Sequence, residues 1–162
     1  MRSCNLKDIL VFKIIFIFFL LIIDFSSKKI IFDLINLNNF IPVVFFMDIA
    51  HIHNFGVSFG LFAGIIPSIY LVIIGIAVTS LVFYLYIQSK KKLEKWGFIL
   101  IIAGALSNIL DRFINGYVID FIYIHYKEFY WPAFNFADIY ISIGISLLIL
   151  NLFKNLLIKN DT

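Results

Sequence analysis

The sequence predicts an all-α integral membrane protein, four transmembrane helices with a little β-structure at the outer membrane surface. Three observations predict it. The chain of 162 residues is 62% hydrophobic and 14% charged, with a mean hydropathy of +1.02, outside the composition of soluble domains of this size. Apolar runs approaching the roughly 20 residues that cross a bilayer occur at residues 9–23, 68–87, 96–110 and 137–158. With both termini inside, nine of the thirteen basic residues fall in cytoplasmic segments (Arg2, Lys7, Lys13, Lys90, Lys91, Lys92, Lys95, Lys154 and Lys159), and only Lys28, Lys29, Arg112 and Lys127 lie outside. Lys and Arg favour the cytoplasmic side during insertion, so this distribution sets the orientation. The net charge of +3 then follows from topology and implies no nucleic-acid partner.

The first run follows a basic start, as a signal peptide would. Ser26-Ser27-Lys28-Lys29 offers no small-x-small cleavage site, however, and an uncleaved first helix is expected. Cys4 is the only cysteine; it excludes an internal disulfide and a cysteine-rich metal site, and no apolar run precedes it to make it a lipid-attachment site. The outer loop at residues 24–67 contains Phe40-Ile-Pro-Val-Val-Phe-Phe46 and Phe55-Gly-Val-Ser-Phe-Gly-Leu-Phe62. Such aromatic and β-branched stretches predict a loop lying on or in the membrane surface, partly as strand. After the second span, the lysines at 90–92 and 95 mark a cytoplasmic turn into the third. The second outer loop, residues 113–136, opens with Asn115-Gly116, a tight-turn pair, and continues as Tyr117-Val-Ile-Asp-Phe-Ile-Tyr-Ile-His125, which reads as a strand in a short hairpin carrying Asp120. Pro132 marks a turn before the fourth span. No linker, low-complexity tract or repeat divides the chain, so residues 1–162 are expected to form one membrane-embedded domain.

Polar residues gather at one side of this topology. The first helix runs outward to Asp24 and Lys28, the third to Asn108, Asp111 and Arg112, and the fourth begins outside at Asn135 and Asp138. Carboxylates beside lipid are costly and make a functional site the default reading. Asn108, Asp111 and Arg112 share one helical face by their i, i+3, i+4 spacing. Asp138 has a local explanation, because Asn135-x-x-Asp138 matches an N-cap with an acid at the third helical position. Asp120 has none, being an acid within an apolar strand, and that asymmetry favours a carboxylate pair. Asp111 beside Arg112 reads as a structural ion pair, with a second reading in which it holds Arg112 ready for an anionic or carbonyl group. Asp24 and Lys28, one turn apart, read as a structural pair.

Two other arrangements carry little. Gly56-Val-Ser-Phe-Gly60 matches a nucleophile-elbow pattern, and His125 with an aspartate completes a triad on paper, but that motif needs an α/β sheet this chain cannot build. His51 and His53 share a face if extended, yet no carboxylate or cysteine spacing supports a metal site; they read as interfacial polar residues.

The chain resembles the lipoprotein signal peptidases, also called signal peptidase II. The matching pieces, in the family's order and spacing, are Asp24-x-x-Ser27-Lys28, Asn54-x-Gly56-x-Ser58-Phe59, Ala103-Gly-Ala-Leu-Ser-Asn-Ile-Leu-Asp-Arg112, Val118-Ile-Asp-Phe121 and Trp131-Pro-Ala-Phe-Asn-Phe-Ala-Asp138. The third and fifth are specific; the first is weak alone. Phe25 stands where the family usually has glutamine and Ser58 where alanine is common. The resemblance implies a β-cradle on the outer membrane surface, a catalytic dyad of Asp120 and Asp138, and a site lined by Asn54, Asn108, Arg112 and Asn135. It further implies supporting roles for Asp24, Lys28, Gly56, Gly104 and Asp111.

It also implies a multi-pass protein of the bacterial cytoplasmic membrane with its site near the outer face. Its substrates would be prolipoproteins whose lipobox cysteine already carries a diacylglyceryl group, cut on the amino side of that cysteine. Beyond substrate and membrane lipids, no cofactor, metal or obligatory protein partner is expected. Two close carboxyls would share one proton near neutral pH, the ionised member activating water and the protonated one acting as acid. A small proton- or cation-coupled transporter subunit is the rival reading, but it expects acids near the bilayer midplane, whereas these sit at helix ends. A structural subunit leaves Asp120 unexplained, and another class of intramembrane aspartyl protease would need a Gly-x-Gly-Asp that no helix here contains.

Overall fold

The computed structural model describes residues 6–57 and 64–160, so Cys4 and the stretch around Ser58 lie outside the described residues. In chain order the elements are α1 (Leu6–Leu34), β1 (Phe40–Val44), β2 (Met47–Asn54), α2 (Ser68–Gln88), α3 (Lys92–Asn115), β3 (Val118–Tyr126), β4 (Phe129–Tyr130) and α4 (Phe136–Asn160). Among the described residues four helices are long and apolar enough to cross a membrane. A four-stranded antiparallel sheet of order β1-β2-β3-β4 joins them at one end. This is the expected fold class.

The largest departure from the sequence reading is α1. Expected to leave the membrane at residue 23, it runs unbroken through Asp24 and Lys28 to Leu34. These two residues lie one turn apart on the face turned to α3, buried and ion-paired at 2.6 Å, so they do not interrupt the helix. At about 1.5 Å per residue the helix is roughly 44 Å long, and its last turns extend beyond a hydrocarbon core about 30 Å thick. An exposed Lys29–Asp33 pair at 2.9 Å decorates that end.

The second correction concerns turns. Asn115-Gly116, expected as a tight turn, instead ends α3: Gly116 sits in the left-handed region (φ 81°) and returns its N–H to the carbonyl of Arg112. A glycine just past the last helical residue adopts this conformation without the steric cost of a Cβ. The hairpin turn lies between β3 and β4, at Lys127-Glu128, where Lys127 has φ 54°. β3 is consequently an interior strand, paired on its other side with β2 from the first loop. A register shift between Ile49 and Ile52 sets Ala50 and His51 against Phe121 alone, a β-bulge of the kind that re-aims neighbouring side chains.

Helix α3 is the most buried of the four and packs against all the others. Its approach to α4 uses glycines at two levels. A Cβ on Gly104 would lie 2.3 Å from the Ala137 carbonyl oxygen, and one on Gly144 would lie 2.6 Å from that of Gly97. Small residues permit such close backbone approach between membrane helices. Ile31, Ile119, Phe121 and Ile122 form a core between the end of α1 and the sheet, with Phe134, Phe136 and Ile139 packed against it. Elsewhere the large apolar side chains of α1, α2 and α4 point outward, as a lipid solvent requires.

Candidate active site

Four elements converge where the sheet meets the bundle. β3 brings Asp120, paired in register with Ile52 of β2. β2 ends at Asn54, α3 contributes Asn108, Asp111 and Arg112, and α4 begins with Asn135 and Asp138. Asn54, Asn108, Arg112, Asp120 and Asp138 line one cavity of about 730 Å³. From its polar end the cavity continues between α2 and α4 over α3, walled by Leu71, Ile74, Val78, Ile109, Ile141 and Ile145.

Three asparagines hold the two carboxylates, and each has its amide orientation set by an obligate donor. The N–H of Gly56 donates to Asn54 Oδ1 at 2.9 Å, so Asn54 Nδ2 faces Asp120 Oδ2, also at 2.9 Å. The N–H of Asp138 donates to Asn135 Oδ1 at 3.0 Å, which turns Asn135 Nδ2 onto Asp120 Oδ1 at 2.6 Å. Lys28 Nζ donates to Asn108 Oδ1 at 2.9 Å, and Asn108 Nδ2 reaches Asp138 Oδ1 at 2.8 Å. A backbone N–H and an ammonium can only donate, so none of these amides can be flipped without placing two donors face to face.

Asp138 Oδ2 also accepts the N–H of Asn135 at 3.2 Å, completing a reciprocal capping box at the start of α4. The local reading of Asp138 is therefore correct, and it coexists with a carboxylate facing the cavity. Asp120 is 2% exposed and Asn135 is fully buried. Burial pushes the Asp120 carboxyl up to about 7; Asp138 adds to the rise, and the amides of Asn54 and Asn135 oppose it.

Arg112 does not pair with Asp111. Its Nη2 donates to the Gly56 carbonyl at 2.5 Å and its Nη1 reaches the Asn108 carbonyl at 3.4 Å, while Nε is buried without a hydrogen-bond partner among the described residues. Asp111 turns away from Arg112 and pairs with Lys28 at 2.9 Å. Adjacent helical residues point about 100° apart, which is why sequence neighbours take different partners here.

Behind the cavity, Asp24 accepts from Lys28 Nζ (2.6 Å), Ser107 Oγ (2.6 Å) and the N–H of Ala137 (2.9 Å). It thereby ties α1 to the first turn of α4. Ser107 was not singled out from the sequence; a hydroxyl in an apolar helix next to Asn108 was the available signal. The histidines stand apart. His51 Nδ1 meets the Ile35 carbonyl at 2.7 Å and its Nε2 meets His53 Nε2 at 3.1 Å, while His125 pairs with Asp48 at 3.2 Å. Burial, with His51 alongside, holds the His53 imidazole below its ordinary range.

The family model described as signal peptidase (SPase) II matches residues 16–154. A lipoprotein signal peptidase of Thermodesulfovibrio yellowstonii is 41% identical over 141 residues, covering 86% of this chain and 91% of the relative. One from Alteromonas mediterranea is 36% identical over 138 residues, covering 83% and 76%. A solved structure described as a bacterial membrane enzyme, determined by the in meso method at 2.3 Å, superposes with a TM-score of 0.80 at 29% identity, covering 88% of each chain. A second, at 1.9 Å, gives 0.77 at 30% identity, covering 88% of this chain and 92% of that one.

Proposed function

The chain belongs to the signal peptidase II family, and on that premise we propose that Asp120 and Asp138 are the catalytic pair with which it cleaves its substrates. It is a multi-pass bacterial membrane protein and an aspartic peptidase that removes signal peptides from prolipoproteins. The observation that carries the assignment of residues is the shared cavity: two carboxylates from different elements, each held by asparagine amides, open onto one apolar-walled groove.

With one proton between them, the ionised carboxylate takes a proton from water. The oxygen of that water attacks the scissile carbonyl carbon, and the protonated carboxyl donates to the developing oxyanion. Collapse of the tetrahedral intermediate breaks the C–N bond; the departing amine takes up the proton first removed from water, and the hydroxyl that re-forms the C=O returns its proton to the carboxylate that donated it, which restores the pair. Arg112 and the asparagines position the peptide. The apolar groove suits the acyl chains of a diacylglyceryl-modified cysteine, with cleavage on its amino side; binding energy gathered there aligns the reacting carbonyl. The distribution of Lys and Arg supports cytoplasmic termini and a site near the outer face.

The test is cleavage of a diacylglyceryl-modified prolipoprotein by purified enzyme. Asp120→Asn and Asp138→Asn are each expected to abolish it while remaining folded in membranes. Full activity in either variant removes the dyad.

A further inference from the structure

Lys28 is a buried ammonium, 2% exposed, to which the chemistry above gives no part. Its three contacts are the carboxylates Asp24 Oδ2 at 2.6 Å and Asp111 Oδ2 at 2.9 Å, both ion pairs, and Asn108 Oδ1, which accepts a hydrogen bond at 2.9 Å. The first two place one positive charge between two structural carboxylates. The third is a bond to the amide that touches Asp138.

That third bond has two consequences. It orients Asn108 so that Nδ2 points at Asp138 Oδ1 at 2.8 Å. It also draws electron density toward Asn108 Oδ1 and strengthens Nδ2 as a donor, because linked hydrogen bonds polarise one another. The second oxygen of Asp138 accepts a backbone N–H at the start of α4 at 3.2 Å, where the helix dipole favours negative charge. Both contacts therefore stabilise an ionised Asp138.

Asp120 is held differently. Its donors are the neutral amides of Asn54 and Asn135, their oxygens satisfied by backbone N–H groups rather than by a cation, and it sits on a strand, which has little dipole. Asp24 from α1 and Asp111 from α3 share the single positive charge of Lys28, so without that ammonium both would act on Asp138 unopposed, while Arg112 from α3 lines the same cavity as both carboxylates and does not distinguish them.

We propose that Lys28, acting through Asn108, is a positioning residue that keeps Asp138 as the ionised, water-activating member of the pair and leaves the shared proton on Asp120. This rests on the dyad reading and goes further, giving the two carboxyls distinct roles and placing the origin of the difference on α1.

The test compares the intact enzyme with Asp111→Asn and with Lys28→Met/Asp111→Asn in detergent, measuring kcat, KM and the pH–rate profile on a diacylglyceryl-modified prolipoprotein. The double variant is used because Lys28→Met alone strands a buried Asp111, whereas Asp24 retains Ser107 and the Ala137 N–H. Relative to Asp111→Asn, the acidic limb of the double variant's profile should move up by about one pH unit with KM nearly unchanged, so that kcat falls by about tenfold at pH values below the limb and recovers as pH rises. An unmoved acidic limb, or a double variant that does not fold in membranes, makes Lys28 a structural residue and overturns the proposal. Asp138→Asn in the same assay separates the two claims, since activity there would refute the dyad itself.

Discussion

Gly104 offers a graded perturbation of the site from a position that touches neither carboxylate. In Gly104→Ala the added Cβ would lie 2.3 Å from the Ala137 carbonyl oxygen and 2.8 Å from Ile141 Cγ1. Close carbon–oxygen contacts settle at about 3.3 Å, so α4 must retreat by about 1 Å at that level. The obstacle is backbone, so no side-chain rotation relieves it. Alanine gains about 1 kcal/mol over glycine in helix propensity, while overpacking costs about 1–3 kcal/mol. With a carbonyl in the way the upper part of that range applies, leaving about 1–2 kcal/mol of net destabilisation and a melting temperature a few degrees lower.

The functional effect should be larger than the loss of stability. Ala137 immediately precedes Asp138 and moves it directly, whereas Asp120 stands on β3 and is reached from the start of α4 only indirectly, through Asn135 and Phe134. A displacement of about 1 Å between reacting groups can cost about 100-fold in rate, and it should appear in kcat. The assay is cleavage of a diacylglyceryl-modified prolipoprotein by detergent-purified enzyme, alongside a thermal melt. Gly144→Ala is the matched control: its Cβ would meet the Gly97 carbonyl oxygen at 2.6 Å, at a level of the α3–α4 interface away from the carboxylates. It should lower the melting temperature comparably and leave kcat within about threefold. If Gly104→Ala keeps both kcat and melting temperature, or if Gly144→Ala loses as much activity, the argument from close approach fails.

Three further outcomes follow from the same geometry. Because the folded-state pKa of Asp120 is raised from 3.8 to about 7, the folded protein holds a proton the unfolded chain has released between those values, so the contribution is full below pH 3.8 and is lost as pH rises to about 7. Asp120→Asn should therefore match the parent's stability near pH 4 and exceed it near pH 8, by on the order of a few kcal/mol at most, read as a higher melting temperature at pH 8; equal pH dependence in both proteins would contradict this. Asp111→Asn should melt at a lower temperature, because breaking a buried ion pair costs about 3–5 kcal/mol, yet lose only part of its activity; an inactive variant with unchanged melting temperature would move Asp111 into the catalytic set. Prolipoprotein lacking its diacylglyceryl group should be cut at least about tenfold more slowly than modified substrate, and equal rates would refute recognition through the acyl chains.

Length, hydropathy and basic-residue placement were sufficient for four spans, since a bilayer imposes about 20 apolar residues on any helix that crosses it. Asp120 was conspicuous for a similar reason: an acid within Val118-Ile-Asp-Phe121 has no local use. The capping box at Asn135 and Asp138 was also legible, because its partners lie three residues apart. What failed to show in the sequence is everything decided by contacts between distant segments. Asp24 suggested the end of α1 until its partners on α3 and α4 were in view. Arg112 suggested Asp111 as partner until Gly56 was seen beneath its guanidinium. Asn115-Gly116 suggested a tight turn and ends α3 instead, and while the hairpin carrying Asp120 was legible, the pairing of β3 with β2 on its other side was not. Chain composition meets the bilayer residue by residue and can be read from one sequence, but a buried polar atom is satisfied by whichever donor packing delivers. The direction in which each asparagine turns its amide, and so the distinct environments of the two carboxylates, arises only when all four helices and the sheet are assembled.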